Sequence, residues 1–231
     1  MMTKSRTLAE LAVVLLVGVL PMIVIGATLY APSIDEPPPP FYQADIAPSL
    51  RQGLMLAAFA LFVLAPVIAI RRSGKAAAEF GYRRGTLADV GWGLAGLVLN
   101  YALGWAIWGL FFATGFPLGR EKVQAFHYVH AASFAEMASS WPWYVLVVLA
   151  EETMARCYLI TRLRDVTGNK WLAVLGSSLL FAAWHSFWGP AGMLHVFKAG
   201  MVFGALFVLR GGVMAPAVSH FVFDALTLLP R

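Results

Sequence analysis

The sequence predicts an all-α membrane protein, a polytopic bundle of about seven transmembrane helices. Three observations carry this expectation. Of 231 residues, 60% are hydrophobic and only 13% charged, whereas a soluble domain carries about 25% charged and roughly 45–50% apolar residues. The mean hydropathy of +0.73 excludes both an ordinary water-soluble enzyme and a disordered chain. Finally, seven apolar segments can be read, at 8–31, 50–70, 88–116, 142–161, 171–188, 193–209 and 212–229. Each approaches the length of about 20 residues that a helix needs to cross hydrocarbon. The chain therefore reads as one integral membrane domain over 1–231, seated in the lipid bilayer of the plasma or inner membrane.

The first segment follows Lys4 and Arg6 and resembles a signal peptide. Its apolar run exceeds the usual 7–15 residues and no small-residue cleavage site follows, so an uncleaved span is expected. The loop after it holds Pro37-Pro38-Pro39-Pro40, a stiff extended spacer. The third segment is long enough to tilt. Before the fourth, Arg120–Ser140 mixes His127, His130, Phe126 and Phe134 with polar residues, which suits an interfacial helix. The last two segments are short, and Arg210-Gly211-Gly212 turns the chain between them.

Loop charges orient the bundle. With the N-terminus cytoplasmic, eleven basic residues fall inside and four outside, and Arg156 and Lys198 within spans complete the 17. The positive-inside rule then places the C-terminus outside. The same rule accounts for the net charge of +5 without nucleic acid, which is excluded as a partner. The single cysteine, Cys157, rules out an internal disulfide.

Ionisable groups within hydrocarbon mark function by default. The C-terminal half holds Glu151, Glu152, Arg156, His185, His220 and Asp224 in its apolar segments, whereas Glu10 and Asp89 lie near helix entries. Glu152 and Arg156 are four apart and share a helix face as an ion pair. Glu151 is turned about 100° from Glu152 and is left for chemistry. Counted from the inner boundary, Glu151 lies about 16 Å deep, His185 about 21 Å, His220 about 13 Å and Asp224 about 20 Å. Three helices thus bring polar groups to one slab, with His220 and Asp224 on one face. Two chemistries fit the set. A carboxylate can take a proton from water while histidines orient it and support an oxyanion. Alternatively, a divalent metal such as zinc, held by Glu151, His185, His220 and Asp224, can polarise the water. A proton-coupled transporter would also need such groups, although the broken helices of carriers are not evident. Gly176-Ser177-Ser178 reads as small-residue helix packing rather than a nucleophile.

Glu151-Glu152-Thr-Met-Ala-Arg156 is an EExxxR pattern, Phe181-Ala-Ala-Trp-His185 an FxxxH and His220-Phe-Val-Phe-Asp224 an HxxxD. In this order the three motifs resemble the CPBP family, the CAAX proteases and bacteriocin-processing (Abi) intramembrane proteases. The resemblance covers about 145–225, and Phe80-Gly81-Tyr82-Arg83-Arg84 before the third span also looks familiar. It implies an intramembrane glutamic or metallo-endopeptidase, with its catalytic core in the helices of 142–229. Glu151 and His185 would activate water, His220 and Asp224 would support the oxyanion or complete a metal site, and Glu152 and Arg156 match the rest of the first motif. It further implies a peptide or protein substrate at the membrane, which is prenylated in the eukaryotic relatives. Familiar members carry Asn at the last position, so Asp224 is a departure that favours a metal-binding or histidine-orienting role. The rival readings are a non-proteolytic transporter or a bacteriocin-immunity scaffold.

Overall fold

A computed structural model describes residues 3–29, 48–116 and 133–227. The polyproline spacer lies outside these residues, as does most of the expected interfacial helix, whose end at Phe134–Ser140 opens a long helix instead. Seven helical rods make up the described chain, with no strand among the described residues. The first, α1, runs Lys4–Val14, widens into a π turn at Leu15–Val19 and continues through Leu20–Leu29. Pro21 just beyond that turn has no N–H to offer the carbonyl four residues back, which suits the wider hydrogen-bonding step. Helix α2 is Pro48–Arg72 and α3 is Leu87–Thr114. Helix α4 joins Phe134–Glu152, a π-helical stretch Thr153–Ile160 and Thr161–Thr167. Then follow α5 (Lys170–Ala183), α6 (Gly189–Arg210) and α7 (Met214–Thr227).

The number of rods matches the seven apolar segments, but their lengths differ from seven full crossings. Four stretches are long and apolar enough to span: Lys4–Gly26, Ser49–Arg72, Leu87–Thr114 and Ser186–Arg210. Helix α4 has its apolar run broken by Glu151, Glu152 and Arg156. Helices α5 and α7 have 14 residues each, about 21 Å at 1.5 Å per residue, against a hydrocarbon core of about 30 Å. Where the segment 171–188 is expected to continue, α5 stops at Ala183 and a 3₁₀ turn, Ser186–Trp188, redirects the chain into α6. Hydropathy counts apolar residues without sensing direction, and this apolar run bends back on itself.

Small residues let the rods close on one another. Gly93 of α3 packs against the Ala215 carbonyl and Val218 of α7, and Gly200 of α6 against Ser178 and Phe181 of α5. Ser177 and Ser178 are buried and donate to the carbonyls of Ala155 and Val174, so both hydroxyls serve packing. The seven residues Met154–Ile160 of the π-helical stretch are all buried, which places α4 at the centre of the bundle.

One end of the bundle is tied by charge. Asp89 is fully buried and accepts from Arg83 and Arg210, each at 2.9 Å, while its other oxygen caps α3 through Thr86. Arg83 also donates to the carbonyls of Arg210 and Gly211. Arg162, likewise buried, is held by Glu10 and Asp165, and lies over the Phe80 ring.

The strap between α2 and α3 closes this end. After a 3₁₀ turn over Ala77–Phe80, Gly81 adopts φ +85° beneath the Phe207 ring, where a Cβ would overlap that ring. Its carbonyl accepts from Val213 at the α6–α7 turn. Next, the Tyr82 hydroxyl donates to Thr153 at 2.7 Å. Burial pushes the Tyr82 phenol above its ordinary value, so it remains a donor.

Candidate active site

Glu151 and Glu152 end the α-helical part of α4, at the junction where the π-helical stretch begins. Such wide turns occur frequently at functional sites. The two neighbours have different surroundings. Glu152 is fully buried, with Oε2 3.3 Å from Arg156 Nε and Oε1 2.8 Å from His220 Nδ1. Glu151 lies beside the main cavity, with Oε1 3.5 Å from His185 Nε2 and Oε2 3.5 Å from His220 Nε2.

Both histidines are aimed by their other nitrogen. His185 stands just past the end of α5, where the chain tightens and its backbone N–H bonds Ala182. The Phe181 carbonyl, freed at this helix end, lies 2.8 Å from His185 Nδ1. A carbonyl only accepts, so Nδ1 carries the proton and Nε2 presents its lone pair to Glu151. For His220 the partner at Nδ1 is Glu152, already in contact with Arg156 and therefore an acceptor. His220 Nε2 then faces Glu151 at 3.5 Å and Asp224 Oδ2 at 3.6 Å. At these separations the groups do not complete direct hydrogen bonds, and a water in the adjoining cavity can reach both partners from one side.

Aromatic rings fix the charged groups. The Arg156 guanidinium lies 4.5 Å from the Phe181 centroid and 5.2 Å from that of Phe203. Phe203 in turn stacks on His220 at 4.9 Å, and Phe181 meets His185, His220 and Trp184 edge-on. Cation–π contacts of this kind gain strength when desolvated. Phe203 and Trp184 belong to no sequence motif as site residues. Phe203 lies on the same face of α6 as His195 and Ala199, eight and four residues before it.

The residues face a cavity of about 520 Å³ lined by Glu151, His185, His195, His220 and Asp224. Its remaining walls are mostly apolar, among them Met22 of α1, Met55 and Phe59 of α2, and Trp143 of α4, with Gln52 and Tyr144 as polar exceptions. All four residues expected to carry the chemistry are thus brought together, with Glu152 and Arg156 behind them. His195 lines the same cavity. Lys198 turns instead to α3 and donates to the Asn100 carbonyl at 2.8 Å.

The donor types suit a divalent ion. Among the described residues, however, no three His, Cys, Asp or Glu side chains converge as a metal cage. The arrangement does not fit a bound ion, and side chains and water are what the site offers for chemistry.

Fold and site together define a class: a helical membrane protein with a cavity-lining glutamate between two oriented imidazoles. Residues 133–226 match the family model described as type II CAAX prenyl endopeptidase Rce1-like. That match covers α4 through α7 and all six motif residues, and supports the resemblance to CAAX proteases read from the motifs. No curated protein and no solved structure matches the chain.

Proposed function

We propose that the protein is a CAAX-type intramembrane endopeptidase that hydrolyses a peptide bond with a water activated by Glu151 and His185. One observation carries this reading. Each oxygen of Glu151 faces the Nε2 of a different histidine at 3.5 Å, and both histidines have Nδ1 engaged elsewhere. That arrangement suits a general base flanked by proton carriers.

A water bound between Glu151 and His185 gives a proton to Glu151, and its oxygen bonds to the scissile carbonyl carbon. The carbonyl π electrons move onto oxygen. His220, protonated at Nε2 and backed by Asp224, donates to that oxyanion. When the intermediate collapses, the C–N bond breaks and the leaving nitrogen takes the proton held by Glu151. The acid product and free amine balance the water consumed. The apolar cavity wall suits a membrane-borne substrate with an attached hydrocarbon chain, and the matched family's description names prenyl substrates.

The test uses purified full-length protein and a farnesylated CAAX peptide, with release of the C-terminal tripeptide followed by mass spectrometry. Wild type is expected to cleave, and Glu151→Gln and His185→Ala to lose at least about 100-fold, the scale of general-base catalysis. A chelator is expected to leave the wild-type rate unchanged. Wild-type turnover by Glu151→Gln would overturn the assignment, and a chelator-sensitive rate would replace its water-only mechanism with a metal-assisted one.

A further inference from the structure

A second groove, about 460 Å³ in volume, lies between the first half of α1 and the second half of α2, away from the catalytic cavity. Arg6 and Arg72 stand at its mouth, and Val13, Val17, Ala65 and Ile68 line its floor. The arginines occur where α1 begins and α2 ends, which is headgroup level for helices of spanning length. From Arg6 to Val17 the groove extends about 16 Å at 1.5 Å per residue, into the depth of acyl chains.

Charge decides what such a groove holds. Glu10 also lines it, but its carboxylate is already used. Its Oε1 accepts from Arg162 Nε at 2.8 Å and from the Tyr158 hydroxyl at 3.1 Å, while Oε2 accepts from Arg162 at 3.2 Å. The ion pairs among the described residues include none for Arg6 or Arg72. The mouth therefore presents two forked cations with no local counter-charge, above a floor that water would solvate poorly. Guanidinium groups suit phosphate oxygens, which they can grip in pairs. Basic pockets between spans are a known form of anionic-lipid seat.

We propose that this groove binds one anionic phospholipid, its phosphodiester between Arg6 and Arg72 and an acyl chain along Val13, Val17, Ala65 and Ile68. The site is separate from the proposed catalysis and stands or falls independently of it.

Native mass spectrometry of the purified full chain in detergent tests it. The probes are dioleoylphosphatidylglycerol, dioleoylphosphatidylcholine and glycerol 3-phosphate. The anionic lipid is expected to bind at least about tenfold more tightly than the zwitterionic one, from two arginines at the headgroup layer. Arg6→Gln/Arg72→Gln should reduce it to the zwitterionic level. Arg71→Gln, one residue from Arg72 but outside the groove lining, should retain it. Ile68→Trp fills the floor without touching either arginine, and should also displace the lipid. It supplies an independent reading should the double variant misfold. Equal affinity for the two lipids, or undiminished binding by both the double variant and Ile68→Trp, overturns the proposal. Full competition by glycerol 3-phosphate also overturns it, because the occupant would then be a phosphate without a chain.

Discussion

At the scale of single residues, neighbouring acids differ because their partners differ. Glu152 sits between Arg156 and His220, whereas Glu151 faces the cavity and the Nε2 atoms of two imidazoles. Removing Arg156 should strand a buried carboxylate. Arg156→Met is expected to destabilise the protein by about 3 kcal/mol, typical for breaking a buried pair, read by equilibrium unfolding in mixed micelles. Adding Glu152→Gln should recover part of that loss while activity stays low, because His220 then lacks its ionised partner. Full recovery of cleavage by the double variant would refute the role given to Glu152. At Asp224 the expectation is graded. Asn still offers an oxygen to His220, so Asp224→Asn should lower kcat/KM by about tenfold, while Asp224→Leu should cost at least about 100-fold. Undiminished activity in Asp224→Leu would remove that residue from the mechanism.

At the scale of elements, the strap before α3 holds the site from outside the membrane core. Gly81 requires a positive φ and lies against Phe207, so Gly81→Ala meets both backbone strain and a ring overlap. The left-handed conformation alone costs a non-glycine residue about 1–2 kcal/mol. A melting temperature lowered by several degrees is expected, and an unchanged one would show that the strap does not bear on stability. Tyr82→Phe removes the hydrogen bond to Thr153, one residue beyond Glu152. Its expected cost is about 1 kcal/mol, with cleavage reduced because the start of the π-helical stretch loses its outside anchor.

At the scale of the whole molecule, Asp89 joins α3, the end of α6 and the strap through two arginines. Asp89→Asn leaves both guanidinium groups without their shared carboxylate. The melting temperature should fall by several degrees with little change in the KM of the remaining folded enzyme, since no catalytic distance depends directly on Asp89. A KM change without loss of stability would instead connect this end of the bundle to substrate binding.

Much of this was legible from spacing. The four-residue steps from Glu152 to Arg156 and from His220 to Asp224 put each pair on one helix face, and a short-range helical rule was enough to see it. The apolar segments located every rod among the described residues, since hydrocarbon imposes its length on sequence. Other features depend on residues far apart in the chain: His220 meets Glu152, Tyr82 meets Thr153 and Phe203 covers Arg156. No local pattern encodes those contacts. The sequence by itself determined the membrane class and which acids and imidazoles stand within its apolar segments, because polar groups are too costly in hydrocarbon to occur there by accident. Only the tertiary structure decided that α5 ends at Ala183, short of His185, that Phe181 and Glu152 aim the two imidazoles, and that Glu151 is the acid between them. Direction and distance across a bundle arise from packing among helices, which hydropathy and periodicity do not record.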